Sequence, residues 1–196
     1  MEDSIWTTTL AGFRDKSGST DPVPASVAIS AVSASLALAL LAKMLIIAGK
    51  RNNLDALLDA ARSESTRLAQ LADDDIQAFN QYMECKRQGR ELTAAVRKAI
   101  EVPMEAARSA VRGLDLCAQT AGMVRGLTAA DVGAAAALLS GAVRAMLLSV
   151  DFNIREMRSD SQFSAAIAAE RRDLQREADE QADAVTAALN ASIQRV

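Results

Sequence analysis

The stretch from Ala25 to Lys50 reads ASVAISAVSASLALALLAKMLIIAGK, and it decides the fold. Val27, Ile29, Val32, Leu36, Leu38, Leu40 and Leu41 point to every side of a helix with 3.6 residues per turn, so no face is left for water. A helix of that kind is expected inside a bundle or a subunit interface. Its first half is built of small residues, among them Ser26, Ala28, Ser30, Ala31, Ser33 and Ala34, which let another backbone or a ligand approach closely. From Pro22 to Ala42 the chain is uncharged and about long enough to span a bilayer. The serines, Lys43 near its end and the lack of a second such stretch favour a buried helix, so no membrane partner is expected.

Outward from this helix the pattern stays helical. A short helix is predicted over Trp6 to Arg14, followed by a Ser/Gly/Asp/Pro loop from Lys16 to Pro24. On the other side, Lys50 and Arg51 suit a helix C-terminus, and Asn52 and Asn53 break the pattern. A second long helix runs from Leu54 to Gly89, with Leu57, Ala61, Leu68, Ala72, Phe79 and Met83 on one stripe and Gly89 as its stop. A third begins near Leu92 and meets Pro103, which ends or kinks a helix, before the pattern resumes through Met104, Ala107, Val111, Leu114 and Cys117. After a break at Gly122 to Gly126, Thr128-Ala129-Ala130-Asp131 has the form of a capping box, opening a helix through Leu139, Val143, Met146, Val150 and Met157. A final helix follows Ser159, with Phe163, Ile167, Leu174, Val185 and Leu189 inward. The fold expected is all-α, a single domain over residues 1–196 with about five or six helices around the central apolar one.

Composition agrees and removes several functions. Half of the residues are hydrophobic but only 3% are aromatic, so the core is made of the Ala, Leu, Val and Met that suit close helix packing. The net charge of −3, with both signs mixed along the chain, leaves no clustered basic face for a polyanion, and nucleic acid is not an expected partner. Histidine is absent, which removes the commonest metal ligand and the usual proton carrier near neutral pH. Cys85 and Cys117 form no metal or redox motif, so no metal site and no cofactor are expected. Two lone thiols suit a reducing compartment, and the acidic Met1-Glu2-Asp3-Ser4 is unlike a signal peptide, so the expected location is cytoplasmic.

The informative positions are those that break their own stripe, because burying a polar group costs free energy unless a partner or a task is present. Asp75 shares a helical face with Leu68, Ala72, Phe79 and Met83, while Asp73 and Asp74 can face solvent. Asn153 continues the series Met146, Val150 and Met157. Lys43 lies on the line of Leu36, Leu40 and Ile47. Each has a structural reading beside the functional one: an arginine partner for Asp75, a satisfied core amide for Asn153, a snorkelling side chain for Lys43. Asp131 is equally explained as the acid of a helix N-cap. Lys86, Arg87 and Arg90 form a solvated helix end or hold an anionic ligand tail.

Several segments together resemble the cyclodeaminase/cyclohydrolase family of folate enzymes. They are Phe13 with Pro22-Val23-Pro24, then Ala31-Val32-Ser33-Ala34-Ser35-Leu36, Asp75-Ile76-Gln77-Ala78-Phe79, Ala99-Ile100-Glu101-Val102-Pro103-Met104, Ala130-Asp131-Val132-Gly133 and Val150-Asp151-Phe152-Asn153. The resemblance implies an all-α homodimer with a ligand cleft between helices and a tetrahydrofolate derivative as substrate. It implies methenyltetrahydrofolate cyclohydrolase chemistry, in which water attacks the amidinium carbon between two folate nitrogens to give 10-formyltetrahydrofolate. Asp75 would orient or deprotonate the water and favour the cationic substrate, with Lys43 or Lys86 assisting proton movement and Asp131 standing at the acid of the family's Ser-Asp pair. Pro24, Ala25, Ser26, Phe79, Lys86 and Asn153 would bind substrate.

The chain also departs from the family's pattern. The glycine run that follows Pro-Thr-Pro there is Ala25-Ser26-Val27 here, so each position carries a Cβ. The family's Gly-Asn is Val124-Arg125, its Ser-Asp is Ala130-Asp131, and the first asparagine of its Asn-Val-x-x-Asn stretch is Ser149. Two further functions therefore stand beside the cyclohydrolase. One is a formiminotetrahydrofolate cyclodeaminase; the other is a catalytically impaired paralogue acting as a folate-binding or helical partner protein.

Overall fold

The computed structural model describes residues 4–49, 54–157 and 160–193. A short 3-10 turn, Ile5–Thr7, precedes six helices: α1 Leu10–Ser17, α2 Ser26–Gly49, α3 Asp55–Arg87, α4 Thr93–Ala121, α5 Leu127–Glu156 and α6 Ser161–Ile193. No strand occurs among the described residues. The expected Lys50 to Asn53 stop and Ser159 lie outside them. Helices α2 to α5 form a ring in which α2 packs on α3 and α5, and α4 packs on the same two from the other side. Helix α6 lies over α4 and α5, so α4 touches every other long helix. Short connections make successive helices antiparallel. The start of α2, the second half of α3, the start of α4 and the end of α5 consequently meet at one end of the bundle.

The core is a continuous set of aliphatic side chains, with Leu38, Leu41, Met44 and Leu45 of α2 against Ile100, Met104 and Leu114 of α4 and Leu139, Met146 and Leu147 of α5, all fully buried. At Gly113 a Cβ would lie 3.0 Å from Leu38 Cδ2 and 3.3 Å from Leu139, so any side chain there would push both leucines aside by a few tenths of an ångström. Helix α3 ends as expected. Gly89 follows it at φ +64°, the left-handed conformation that side chains resist.

Several expectations are corrected. Pro103 does not end a helix: α4 runs through it from Thr93 to Ala121. The capping box at Thr128 does not form, because α5 begins one residue earlier, its N-cap position falls on Gly126, and the Thr128 hydroxyl donates back to the Arg125 carbonyl. Helix α2 does keep a face towards water, with Leu36, Ile46 and Ile47 about half exposed, since its neighbours cover only part of its circumference. The line carrying Lys43 is that outer face. A second stretch, Leu127–Glu156, is long and apolar enough to cross a bilayer, besides Ser26–Gly49, and both helices spend much of that apolar surface on packing within the bundle. Asp73 does not simply face solvent. It accepts hydrogen bonds from Ser4 Oγ at 2.6 Å and from the Ile5 amide at 3.0 Å, and the Trp6 indole donates to the Ala69 carbonyl, so the N-terminal turn is strapped to α3.

The outer seam of α3, α4 and α6 is ionic. Glu64 accepts from Ser109 Oγ at 2.6 Å and from both Nε and Nη2 of Arg112, at 2.7 and 2.9 Å. Glu105 is shared by Arg67 and Arg108, and Arg108 also holds both oxygens of Glu170. The first expected role of an acid on α3, an arginine partner on a facing helix, is thus filled by Glu64 and not by Asp75.

Candidate functional site

At the end of the bundle where four helix segments meet there is a cleft of about 220 Å³. Val23, Ala25, Ser26 and Val27 form one wall, Asp75, Ala78, Phe79 and Tyr82 of α3 the second, Val96 and Ala99 of α4 the third, and Ser149, Asn153 and Glu156 of α5 the fourth. The spacing explains the set. Asp75, Ala78, Phe79 and Tyr82 recur every three or four residues and so share one face of α3, as Ser149, Asn153 and Glu156 do on α5.

Helix α2 opens without a polar N-cap: its first helical hydrogen bond runs from the Ile29 amide to the carbonyl of Ala25, whose side chain can accept nothing. Asp75 supplies what is missing. Its carboxylate hydrogen-bonds the Ala28 backbone, in the first turn of α2. Burial pushes the Asp75 carboxyl up to about 6, and this hydrogen bond only partly opposes the shift. Among the described residues no arginine or lysine lines the cleft, and the acidic ones that do are Asp75 and Glu156. A buried carboxylate that changes protonation near neutral pH, beside two aromatic rings and with no cation in the lining, suits a flat, positively charged ligand.

Two further polar contacts shape the walls. Ser26 Oγ and Ser149 Oγ lie 2.9 Å apart, tying the start of α2 to α5. The Asn153 amide Nδ2 donates to the Ala99 carbonyl at 2.7 Å, so Asn153 is both a satisfied amide and a lining residue. Ala25, Ser26 and Val27 line the cleft and leave it open, although each carries a Cβ.

The structure brings together Asp75, Ala25, Ser26, Phe79 and Asn153 among the residues expected from sequence. Pro24 is buried between the lining residues Val23 and Ala25. Lys86 lies one turn beyond the lining, its Nζ 5.9 Å from the centre of the Tyr82 ring, at the cleft's rim. Lys43 and Asp131 are not there. Lys43 lines a separate surface groove with Arg62, Ser65 and Thr66, and at the 1.5 Å rise of a helix it is roughly 25 Å along α2 from Ser26. Asp131 is in the second turn of α5, roughly 33 Å along the helix from Asn153. Ser149, which stands in the stretch compared with the family's Asn-Val-x-x-Asn, is in the lining, whereas Tyr82, Val96, Ala99 and Glu156 are lining residues that the sequence did not single out. Helical spacing from Asp75 and Asn153 would have found Tyr82 and Glu156; Val96 and Ala99 depend on how α4 meets the other helices, which no local pattern shows. Among the described residues there is no group of three His, Cys, Asp or Glu side chains placed to hold a metal ion.

Comparison with known proteins places this arrangement. No curated protein sequence gives a significant match. Among solved structures, the crystal structure of a formiminotetrahydrofolate cyclodeaminase from Thermotoga maritima superposes with a TM-score of 0.88, covering 96% of this chain and 99% of that one at 22% identity, which establishes a shared fold. The sequence model of one family matches residues 9–173, from the start of α1 into α6, and thereby takes in all four walls of the cleft. On that match, the chain belongs to the formiminotransferase-cyclodeaminase family.

Proposed function

We propose that this protein is a folate enzyme acting at the one-carbon bridge of a tetrahydrofolate derivative, and that it hydrolyses 5,10-methenyltetrahydrofolate to 10-formyltetrahydrofolate. The observation that carries this is the pairing of Asp75, pushed up to about 6 by burial, with a cleft that has aromatic walls and, among the described residues, no lining cation. A methenyl bridge is a planar amidinium cation, which such a cleft favours over a neutral or anionic ring. Above pH 6 the Asp75 carboxylate takes a proton from water as its oxygen bonds to the bridge carbon. The bond from that carbon to N5 then breaks, Asp75 returns its proton to N5, and the adduct's hydroxyl proton leaves to solvent as the formyl group forms on N10. One cation and one water thus give a neutral product and one proton. A group with a pKa near the working pH serves both transfers. Lys86, at the rim beside Tyr82, is placed to meet the carboxylates of the substrate's glutamate tail.

A second reading is favoured by the family's name and by the Thermotoga maritima protein. In a formiminotetrahydrofolate cyclodeaminase, N10 attacks the formimino carbon and ammonia leaves, and the same carboxylate would carry the N10 proton to the departing nitrogen. The protein would act as a homodimer in the cytoplasm without a cofactor. The dimer is supported by Leu36, Ile46 and Ile47 of α2 and Leu138, Leu148 and Phe152 of α5, apolar side chains about half exposed on two helices that pack together. The reducing compartment is supported by two free thiols, Cys85 and the buried Cys117.

The test is turnover by the purified protein. Accelerated loss of the methenyltetrahydrofolate absorbance is expected, with the rate rising through about pH 6. Release of ammonia from 5-formiminotetrahydrofolate without that loss would select the cyclodeaminase. Neither activity, together with a stable stoichiometric complex with another protein, would leave the non-catalytic paralogue.

A further inference from the structure

We propose that Asn153 is a specificity residue whose amide oxygen is held as an acceptor for an N–H group of the ligand, and that Pro103 is the positioning residue that fixes it so. Resting on the folate reading above, this adds how the cleft orients what it binds. In an uninterrupted helix the amide of residue 103 would donate to the carbonyl of residue 99. Proline has no N–H, and its ring crowds that same carbonyl, so the Ala99 carbonyl lacks the donor that residue 103 would ordinarily supply. The Asn153 Nδ2 donates to it at 2.7 Å, from the neighbouring helix. A carbonyl can only accept, so the contact sets which end of the amide is nitrogen. The half-buried Asn153 and Ala99 both line the cleft, and with one of its two N–H groups held by Ala99 the amide is fixed in orientation, its oxygen free to accept from a ligand.

The chemistry of the other walls points the same way. Asp75 and Glu156 accept, and the Ser26 and Ser149 hydroxyls are engaged with each other at 2.9 Å. A cleft furnished mainly with acceptors discriminates for ligands rich in N–H donors, such as an aminopterin-type ring edge, because an analogue lacking a donor leaves a buried acceptor unpaired. An interrupted α4 thus has a use beyond shape. It makes an acceptor for Asn153, midway along the wall that α5 gives the cleft between Ser149 and Glu156.

The test has one arm without ligand and one with it, both on the full chain. In the first, exchange of the Asn153 side-chain N–H protons with solvent is followed by NMR, the resonances being assigned by their loss in Asn153→Ala. Exchange at least about ten-fold slower than at the exposed Asn190 is expected, and Pro103→Ala, which restores a competing amide, should remove most of that protection. Unchanged protection in Pro103→Ala would overturn the role of Pro103. In the second arm KM and kcat for 5,10-methenyltetrahydrofolate are measured for the wild type, the two single variants and the double variant. Asn153→Ala should raise KM about ten-fold with kcat nearly unchanged, Pro103→Ala should raise it less, and the double variant should be no worse than Asn153→Ala. Additive losses, or a fall in kcat with KM unchanged, would overturn the proposal. Asn153→Ser serves in the same comparison if Asn153→Ala does not fold. A wild type that neither binds nor turns over this substrate would sink the folate reading and the acceptor role with it, while the first arm still decides whether Pro103 orients Asn153.

Discussion

Helix α3 carries two half-buried carboxylates in opposite circumstances. Glu64 has Ser109 and both donors of the Arg112 fork within hydrogen-bond distance; burial pushes its pKa up, but those contacts outweigh it and hold the carboxyl below its ordinary value. Asp75, about three turns further on, has a backbone amide and no cation, and burial pushes it up to about 6. The difference separates structure from chemistry. A carboxylate neutralised by an arginine is fixed as an anion over the whole physiological range, whereas one held by burial alone can gain and lose a proton near pH 6 and has a charge left over for a ligand.

The largest expected effect breaks the comparison at Asp75. Asp75→Asn keeps an acceptor for Ala28 but cannot carry a proton, and turnover should fall by roughly 10² to 10⁴, measured from the loss of methenyltetrahydrofolate absorbance. An unchanged rate would remove Asp75 from the mechanism. The same variant should be more stable than the wild type at neutral pH. In the native chain Asp75 binds its proton up to about pH 6, in the unfolded chain only near its ordinary 3.8. The native state therefore holds more protons between these values, so the contribution of Asp75 to stability is full below about pH 4 and is lost as pH rises through 6. At pH 7 the loss is about 2–3 kcal/mol, and Asp75→Asn should recover much of it, with the gain over wild type vanishing as pH falls towards 4. Chemical denaturation of both proteins across that range is the measurement.

Glu64→Gln tests the other side and should reverse the sign of the stability change and of its pH dependence. Turnover should be unaffected, and stability should fall by about 1 kcal/mol, the figure for one weakened charge-assisted contact whose arginine is half exposed to solvent. Because the Glu64 pKa is lowered on folding, its contribution is present above its unfolded value and is lost as pH falls through the folded one. The stability difference between wild type and Glu64→Gln should accordingly shrink in acid. A Glu64 variant that lost activity at full stability would show that the ionic seam acts on the cleft.

The two carboxylates were not equally legible in the sequence. Asp75 is visible because it interrupts an apolar stripe, and periodicity alone marks it, as it marks Asn153. The six helices follow from the same periodicity and from the Gly and Asn breaks between them. Which partner an acid finds is a tertiary fact. Nothing local says that Glu64 meets Arg112 while Asp75 meets the Ala28 backbone. Lys43 was misplaced for a related reason: the line through Leu36, Leu40 and Ile47 reads as core by composition, yet it is the side of α2 that the single chain leaves open. Asp131 fits a local motif, but α5 starts at Leu127, so the motif falls inside the helix and its acid far from the cleft. From sequence Pro103 ends or kinks its helix, because a proline disrupts its own hydrogen bonding; the donor to the Ala99 carbonyl comes from Asn153 on another helix, fifty positions later.

The smallest effect concerns the wall where glycines are replaced. Ser26 and Ser149 share a hydroxyl contact at 2.9 Å, and Ser26 is exposed at the cleft, so either hydroxyl can trade its partner for water at little cost. Ser149→Ala should leave kcat unchanged and alter KM no more than about three-fold, since what it removes is the solvent-exchangeable contact with Ser26 and a long, 3.4 Å bond to the Ala145 carbonyl, both neutral. Ser26→Gly removes the Cβ as well as the hydroxyl and frees backbone at the start of α2. If the Cβ at 26 limits how closely a ligand approaches that helix end, Ser26→Gly should lower KM while Ser149→Ala does not, and equal effects of the two would assign the contribution of this wall to the hydroxyl pair alone. The comparison at this wall is thus between volume and hydrogen bonding, just as along α3 it is between burial and ion pairing, and in both places the substitution that leaves shape intact reports on the chemistry.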